Sequence, residues 1–203
     1  FRTKDGEIRA GSAIGNFVID LNYLHSQFFF EEIGLPDGVF SQPTLNDFIG
    51  LGKVKTNAVR LRIQELYSSD NPEIQDSETH RTASLVAMTE VEMLLPVHIP
   101  NYTDFYSSIE HATNIGTMIR DPENALMPNW KHIPVGYHGR ASSIIPSGRP
   151  IHRPKGQTKA PDAAAPSFGP TKRLDFELEM AFITNTNTEL GSIVSTSDAE
   201  DHI

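Results

Sequence analysis

Cysteine is absent from the 203 residues, tryptophan occurs once, and Lys plus Arg (17) fall well short of Asp plus Glu (26). Each shortage excludes something. Without Cys there is no disulfide scaffold, no cysteine zinc site and no thiol nucleophile, and a reducing, cytoplasmic compartment is the permitted expectation. A formal net charge of −9 argues against a phosphate-backbone partner, which needs a basic face, so no nucleic acid is expected. No apolar run approaches the roughly 18 residues of a membrane helix, and the opening residues carry no charged-then-apolar signal pattern. No membrane partner is expected either. A Gly-x-Ser-x-Gly elbow, a phosphate loop and a dinucleotide fingerprint are also missing, which removes support for a serine triad and for nucleotide chemistry.

What is present is unevenly spread. Eleven of the fourteen prolines lie from Pro96 onward. Before that point the chain reads as a small mixed α/β unit. Ala13-Ile14, Gly15-Asn16 and Phe17 to Leu21 read as a hairpin with a tight turn. Thr44 to Ile49, closed by Gly50 and Gly52, reads as a short helix with cap and stop. Val59, Ile63, Leu66 and Tyr67 mark one face of a helix over 56–67. Ser68 to Thr82 reads as an exposed polar loop, and Leu85 to Leu95 as a strand. Further on, Ser107 to Ile119 is the main helix candidate, with Ser107 and Glu110 as a capping box. The six prolines between Pro146 and Pro170 leave only short strands and loops. Leu174 to Phe182 is the clearest strand pattern. Ser195 to Glu200 resembles a helix start that stops at Ile203, which, with Phe1 rather than Met at the start, predicts a chain cut at both ends.

Three clusters carry chemistry. In Leu174-Asp175-Phe176-Glu177-Leu178-Glu179-Met180 a period of two sends the apolar residues to one face and the carboxylates to the other. Glu177 and Glu179 would then stand about 6.6 Å apart and could converge on one hard cation such as Ca²⁺ or Mg²⁺; an amphipathic strand with a solvated acidic face would show the same pattern. In the segment Asn101 to His111, His111 falls in the first turn of a helix, where the positive N-terminus disfavours imidazolium and favours a neutral base. Asp104, in the loop before it, could ligate a metal; Tyr106 offers a phenol and Arg120 a carboxylate clamp. A structural helix histidine and an ordinary turn aspartate fit those positions equally. In Val135-Gly136-Tyr137-His138-Gly139-Arg140 the flanking glycines would let backbone approach a ligand, or simply make a turn between strands.

Together these residues fall within longer motifs: Gln42-Pro43-Thr44-Leu45-Asn46, Tyr102 to Ser108, His111-Ala112-Thr113-Asn114, Asn124 to Trp130, Pro134 to Ser143 and Leu174 to Met180. In them the chain resembles the fumarylacetoacetase family over essentially its whole length. Asn101 and Ile109 depart from the family pattern, at positions that are not ligands. The resemblance implies a mixed, mainly β protein: an SH3-like N-terminal domain over 1–96 and, over 97–203, the first part of a β-roll catalytic domain that continues in longer relatives. It also implies a homodimer acting on a small β-diketone, hydrolysing its carbon–carbon bond to fumarate and acetoacetate in tyrosine and phenylalanine breakdown.

By motif position Asp104, Glu177 and Glu179 would be Ca²⁺ ligands, His111 the base that activates water, Tyr106 and Arg120 substrate contacts, and Tyr137 a neighbour of the substrate. Mg²⁺ would be held mainly by residues beyond 203, as would the remaining catalytic groups, so the stretch alone is expected to be inactive. Two other readings remain open: a related acylpyruvate hydrolase or keto-acid decarboxylase, relatives that lack the N-terminal unit, and a non-catalytic SH3-like interaction module.

Overall fold

Gly15, held at φ 54°, and Asn16 turn the chain between β1 (Gly11–Ile14) and β2 (Phe17–Asp20). The hairpin stands where the sequence places it. The computed structural model describes all residues from Phe1 to Ile203, and they divide into two units, one of Phe1–Val97 with Pro146–Ile203 and one of His98–Ile145. Each is a mixture of helix with small sheets.

In the first unit β2 is the central strand of an antiparallel sheet ordered β1-β2-β3, with β3 at Leu85–Ala87. The long strand expected over 85–95 is therefore only three residues; Met88–Glu90 turn into a 3₁₀ helix instead. Asp20 ends β2 and opens α1 (Leu21–Ser26): its Oδ1 accepts the Tyr23 N–H at 2.9 Å and its Oδ2 accepts from Arg9 at 2.6 Å. A fully buried carboxylate is tolerable because both oxygens are satisfied and one faces a cation.

Two helices follow, one short and one of 14 residues. The first, α2 (Asn46–Ile49), begins one residue later than the sequence predicts, with Leu45 and not Thr44 at its cap. In α3 (Lys53–Leu66), Val59 and Leu66 are buried, and Ile63 and Tyr67 pack against the same core, as the periodicity predicts. The core they join contains Leu24, Phe30, Phe40 and Ile74.

Ser68 to Thr82 is not a loop. It folds into α4 (Pro72–Gln75) and most of α5 (Glu78–Ser84), each opened by a side-chain cap: Asn71 accepts the Glu73 N–H at 2.8 Å and Ser77 accepts the His80 N–H at 3.2 Å. Pro72 at the first helical position and buried Ile74 complete α4. Arg62 of α3 clasps Glu73 with two N–H···O bonds of 3.0 and 2.7 Å.

Tyr67 donates to Ser84 Oγ at 2.7 Å, and burial pushes its phenol above the ordinary value. A folded-state pKa above the unfolded one means that the stabilisation is complete below about pH 10 and is lost as pH rises through the folded value. Urea midpoints measured between pH 9 and 11.5 should therefore fall, and the fall should shrink in Tyr67→Phe, which has no proton to lose.

The second unit is smaller. Strand β4 (Thr103–Phe105) pairs antiparallel with β5 (Gly136–His138), and α6 (Ile109–Ile119) leads into a 3₁₀ turn at Pro122–Asn124. Gly116 of α6 rests so close to the Ala125 carbonyl that a Cβ there would overlap its oxygen.

The chain then returns to the first unit with the hairpin β6 (Lys155–Thr158) and β7 (Ser167–Pro170). Short strands between prolines are what the sequence predicts there. The expected strand over 174–182 is not formed: those residues have no regular structure, and Phe176, Leu178 and Met180 are 87%, 95% and 96% exposed. A period-two pattern supplies faces, but a strand also needs a neighbour to bond to. The serine-rich segment from Ser195 ends in a 3₁₀ helix over Ala199–His202. No helix of the chain is long and apolar enough to cross a membrane.

Candidate active site

Asp104 lies on β4, not in a loop, and the register sets it directly opposite Tyr137 on β5. Opposed residues share a face of the ladder, as do residues two apart on one strand. Tyr102, Asp104 and Tyr137 are therefore brought to one side. The Tyr102 hydroxyl donates to Asp104 Oδ2 at 3.1 Å and the Tyr137 hydroxyl donates to the same oxygen at 2.9 Å. Burial first, and then the bond to the Asp104 carboxylate, raise the Tyr102 phenol above its usual value.

The close pairing requires Gly136: a Cβ there would strike the Asp104 carbonyl. The glycine before Tyr137 serves backbone approach, as the sequence suggests, but what approaches is β4. Thr103 and His138 meet on the opposite side, Oγ1 to Nδ1 at 2.9 Å.

The helix bearing His111 is capped by Ser108, whose Oγ accepts the His111 N–H at 3.2 Å; the predicted cap, Ser107, lies one residue too early. His111 thus sits in the first turn, as expected. Its ring meets the Tyr106 ring edge-on, centroids 5.4 Å apart. Tyr106 is itself fixed through its backbone, donating to the Val135 carbonyl at 2.7 Å and accepting from the Trp130 indole at 2.9 Å. No local sequence signal assigns Trp130 a role; it buttresses the strand end that carries Tyr106.

Arg120 follows the last turn of α6, with Nε donating to the Asn124 carbonyl at 3.3 Å and Nη2 to that of Ala125 at 2.7 Å. Two of its five N–H groups are thereby engaged, and three remain. Glu177 and Glu179 belong to the first unit and are exposed. No group of three or more His, Asp or Glu side chains close enough to share a metal ion is present. The donor chemistry is nevertheless suited to a hard cation. All three candidate ligands are carboxylates, and neither phenol reaches Asp104 Oδ1.

Comparison with known proteins gives this arrangement a family. A model described as "Fumarylacetoacetase N-terminal" matches residues 1–96, and one described as "Fumarylacetoacetate (FAA) hydrolase C-terminal" matches residues 101–203. The chain belongs to the fumarylacetoacetase family. It is similar to the fumarylacetoacetase of Caenorhabditis elegans, 50% identical over 205 residues covering 100% of this chain and 49% of that protein. The human fumarylacetoacetase is 46% identical, covering 98% of the chain and 48% of its own length, and that of Dictyostelium discoideum is 49% identical, covering 99% and 48%. The chain thus spans about half the length of the curated fumarylacetoacetases it matches.

Proposed function

We propose that the complete protein hydrolyses the carbon–carbon bond of 4-fumarylacetoacetate, giving fumarate and acetoacetate, as the closing step of tyrosine and phenylalanine breakdown. The observation that carries this reading is the pair of family matches, one on each side of residue 100. The match over residues 1–96 favours it over an acylpyruvate hydrolase or decarboxylase, and the match over 101–203 favours it over a stand-alone interaction module. With the reading come an SH3-like domain over 1–96 and the beginning of a mainly β roll over 97–203. A cytoplasmic homodimer goes with it.

In this proposal His111 is the base. Its ring, oriented by the Ser108 cap and the Tyr106 ring, takes a proton from water as the oxygen attacks the carbonyl beside the fumaryl group. The bond to the acetoacetyl carbon then breaks, its electron pair leaving with acetoacetate and ending on a proton. Tyr106 and Arg120 hold the carboxylate-ended substrate, Arg120 through the N–H groups not spent on Asn124 and Ala125. Tyr137 borders the same space. Asp104, Glu177 and Glu179 would hold Ca²⁺, with Mg²⁺ held mainly elsewhere. When bound, such an ion supplies the Lewis-acid charge that offsets negative charge on the diketone oxygens.

The test is loss of diketone absorbance on fumarylacetoacetate, using the full-length protein with and without chelator. His111→Ala should lower kcat about a hundredfold or more while calcium binding by calorimetry is retained. Turnover that survives the substitution would remove His111 as the base, and no turnover of this substrate by the unaltered protein would overturn the assignment.

A further inference from the structure

Arg140 is a residue to which neither the sequence pattern nor the proposed chemistry gives a part, yet its surroundings are specific. Its backbone is left-handed at φ 57°, a conformation that costs any residue but glycine, and it follows Gly139 at φ 145°. From there the guanidinium carbon reaches 5.4 Å from the Tyr137 ring centroid and 5.8 Å from that of Tyr102, with those two rings 6.4 Å apart. One Nη2 N–H donates to the Tyr137 hydroxyl.

The direction of that bond decides the rest. Arginine can only donate, so its N–H occupies a lone pair of the Tyr137 oxygen. The single phenolic proton must then go elsewhere, and Asp104 Oδ2 receives it at 2.9 Å. Tyr102, under the same guanidinium, delivers its proton to the same oxygen at 3.1 Å. Both phenols are thereby committed to Oδ2, and Oδ1 is the oxygen left to face a ligand. We infer that Arg140 is a positioning residue for the metal: through Tyr137 it fixes Asp104 as a one-oxygen ligand. This rests on the reading of Asp104 as a metal ligand. It deepens that reading, because it makes Tyr137 a support of the carboxylate as well as a neighbour of the substrate.

Partners that orient a metal-binding carboxylate commonly change metal affinity by tenfold or more when removed. In the full-length protein, stripped by chelator and titrated with calcium chloride in a calorimeter, Arg140→Gly should weaken binding about tenfold. Glycine is native to a left-handed position, so this variant removes the side chain without straining the fold. Tyr137→Phe should weaken binding by a similar factor, and the double variant by no more than either alone, because the two act in series. Arg140→Lys, which keeps the charge but loses the planar fork, should fall between. Raising calcium should restore turnover in Arg140→Gly.

Unchanged calcium affinity in Arg140→Gly, or losses that simply add in the double variant, would overturn the inference. So would a raised KM with calcium affinity intact, which would make Arg140 a substrate contact. Asp104→Asn separates the two levels of argument. If that variant binds calcium normally, the metal reading of Asp104 fails first, whatever Arg140 does.

Discussion

Phe40→Ala should lower the unfolding free energy of the first unit by about 3–5 kcal/mol, as truncation of a fully enclosed aromatic does. Phe40 is 0% exposed, and its ring meets those of Phe48 at 5.0 Å, Phe30 at 5.7 Å and His25 at 5.7 Å. Its carbonyl accepts the Ala10 N–H at 3.0 Å, so the residue also ties the segment before β1 to the core. The cavity left by Ala would be walled by α1, α2 and the turn around Phe30, none of which can collapse into it without breaking its own contacts. Urea unfolding followed by far-ultraviolet circular dichroism gives the measurement. Phe40→Leu, which keeps most of the volume, should lose roughly half as much. Equal losses for Ala and Leu would mean that ring geometry, not filled space, is what the core depends on.

Gly116→Ala should be nearly as damaging, at about 3 kcal/mol, by the opposite route of overpacking. The added methyl would overlap the Ala125 carbonyl oxygen, which is backbone and cannot swing aside. That oxygen is also the acceptor for Arg120 Nη2, so displacing it loosens the guanidinium that ties the end of α6 to the following turn. The effect can be read locally, because the one tryptophan of the chain, Trp130, lies in the second unit, bonded to the Tyr106 carbonyl. The denaturation midpoint seen by its fluorescence should drop. An unchanged midpoint would show that the turn at 122–125 shifts freely and that the close packing is not a constraint.

These elements also show what the sequence discloses and what it withholds. The β1-β2 hairpin and α3 were legible because their signals are local: Gly-Asn between two apolar stretches, and apolar residues returning every three or four positions. Helices α4 and α5 were not, although their caps are equally local. At four and seven residues they are too short for periodicity, and Asn71-Pro72 reads as turn chemistry as readily as a helix start. Ser107 and Ser108 are equally good caps on paper, and only the path out of β4 chooses between them.

The candidate site divides in the same way. The placement of His111 in a first turn follows from neighbouring residues. The meeting of Asp104 with Tyr137 follows from a strand register across 33 positions, which no window along the chain contains. The part Arg140 plays is hidden along the chain for that reason. Its significance exists only once Tyr102 and Tyr137 are side by side.

The stretch around Phe176, Leu178 and Met180 has a bearing on how the chain behaves in bulk. Large apolar side chains at alternate positions, exposed and outside any sheet, are the template from which molecules stack into fibrous or amorphous aggregates. Asp175, Glu177 and Glu179 alternate with them. In any in-register stack each carboxylate would lie about 4.8 Å from its copy in the next molecule, a repulsion that grows with every added layer. Glu177 and Glu179, proposed to gather a cation, thus also act with Asp175 as gatekeepers of solubility. Replacing them by Asn and Gln would remove that guard, and turbidity would be its outward sign.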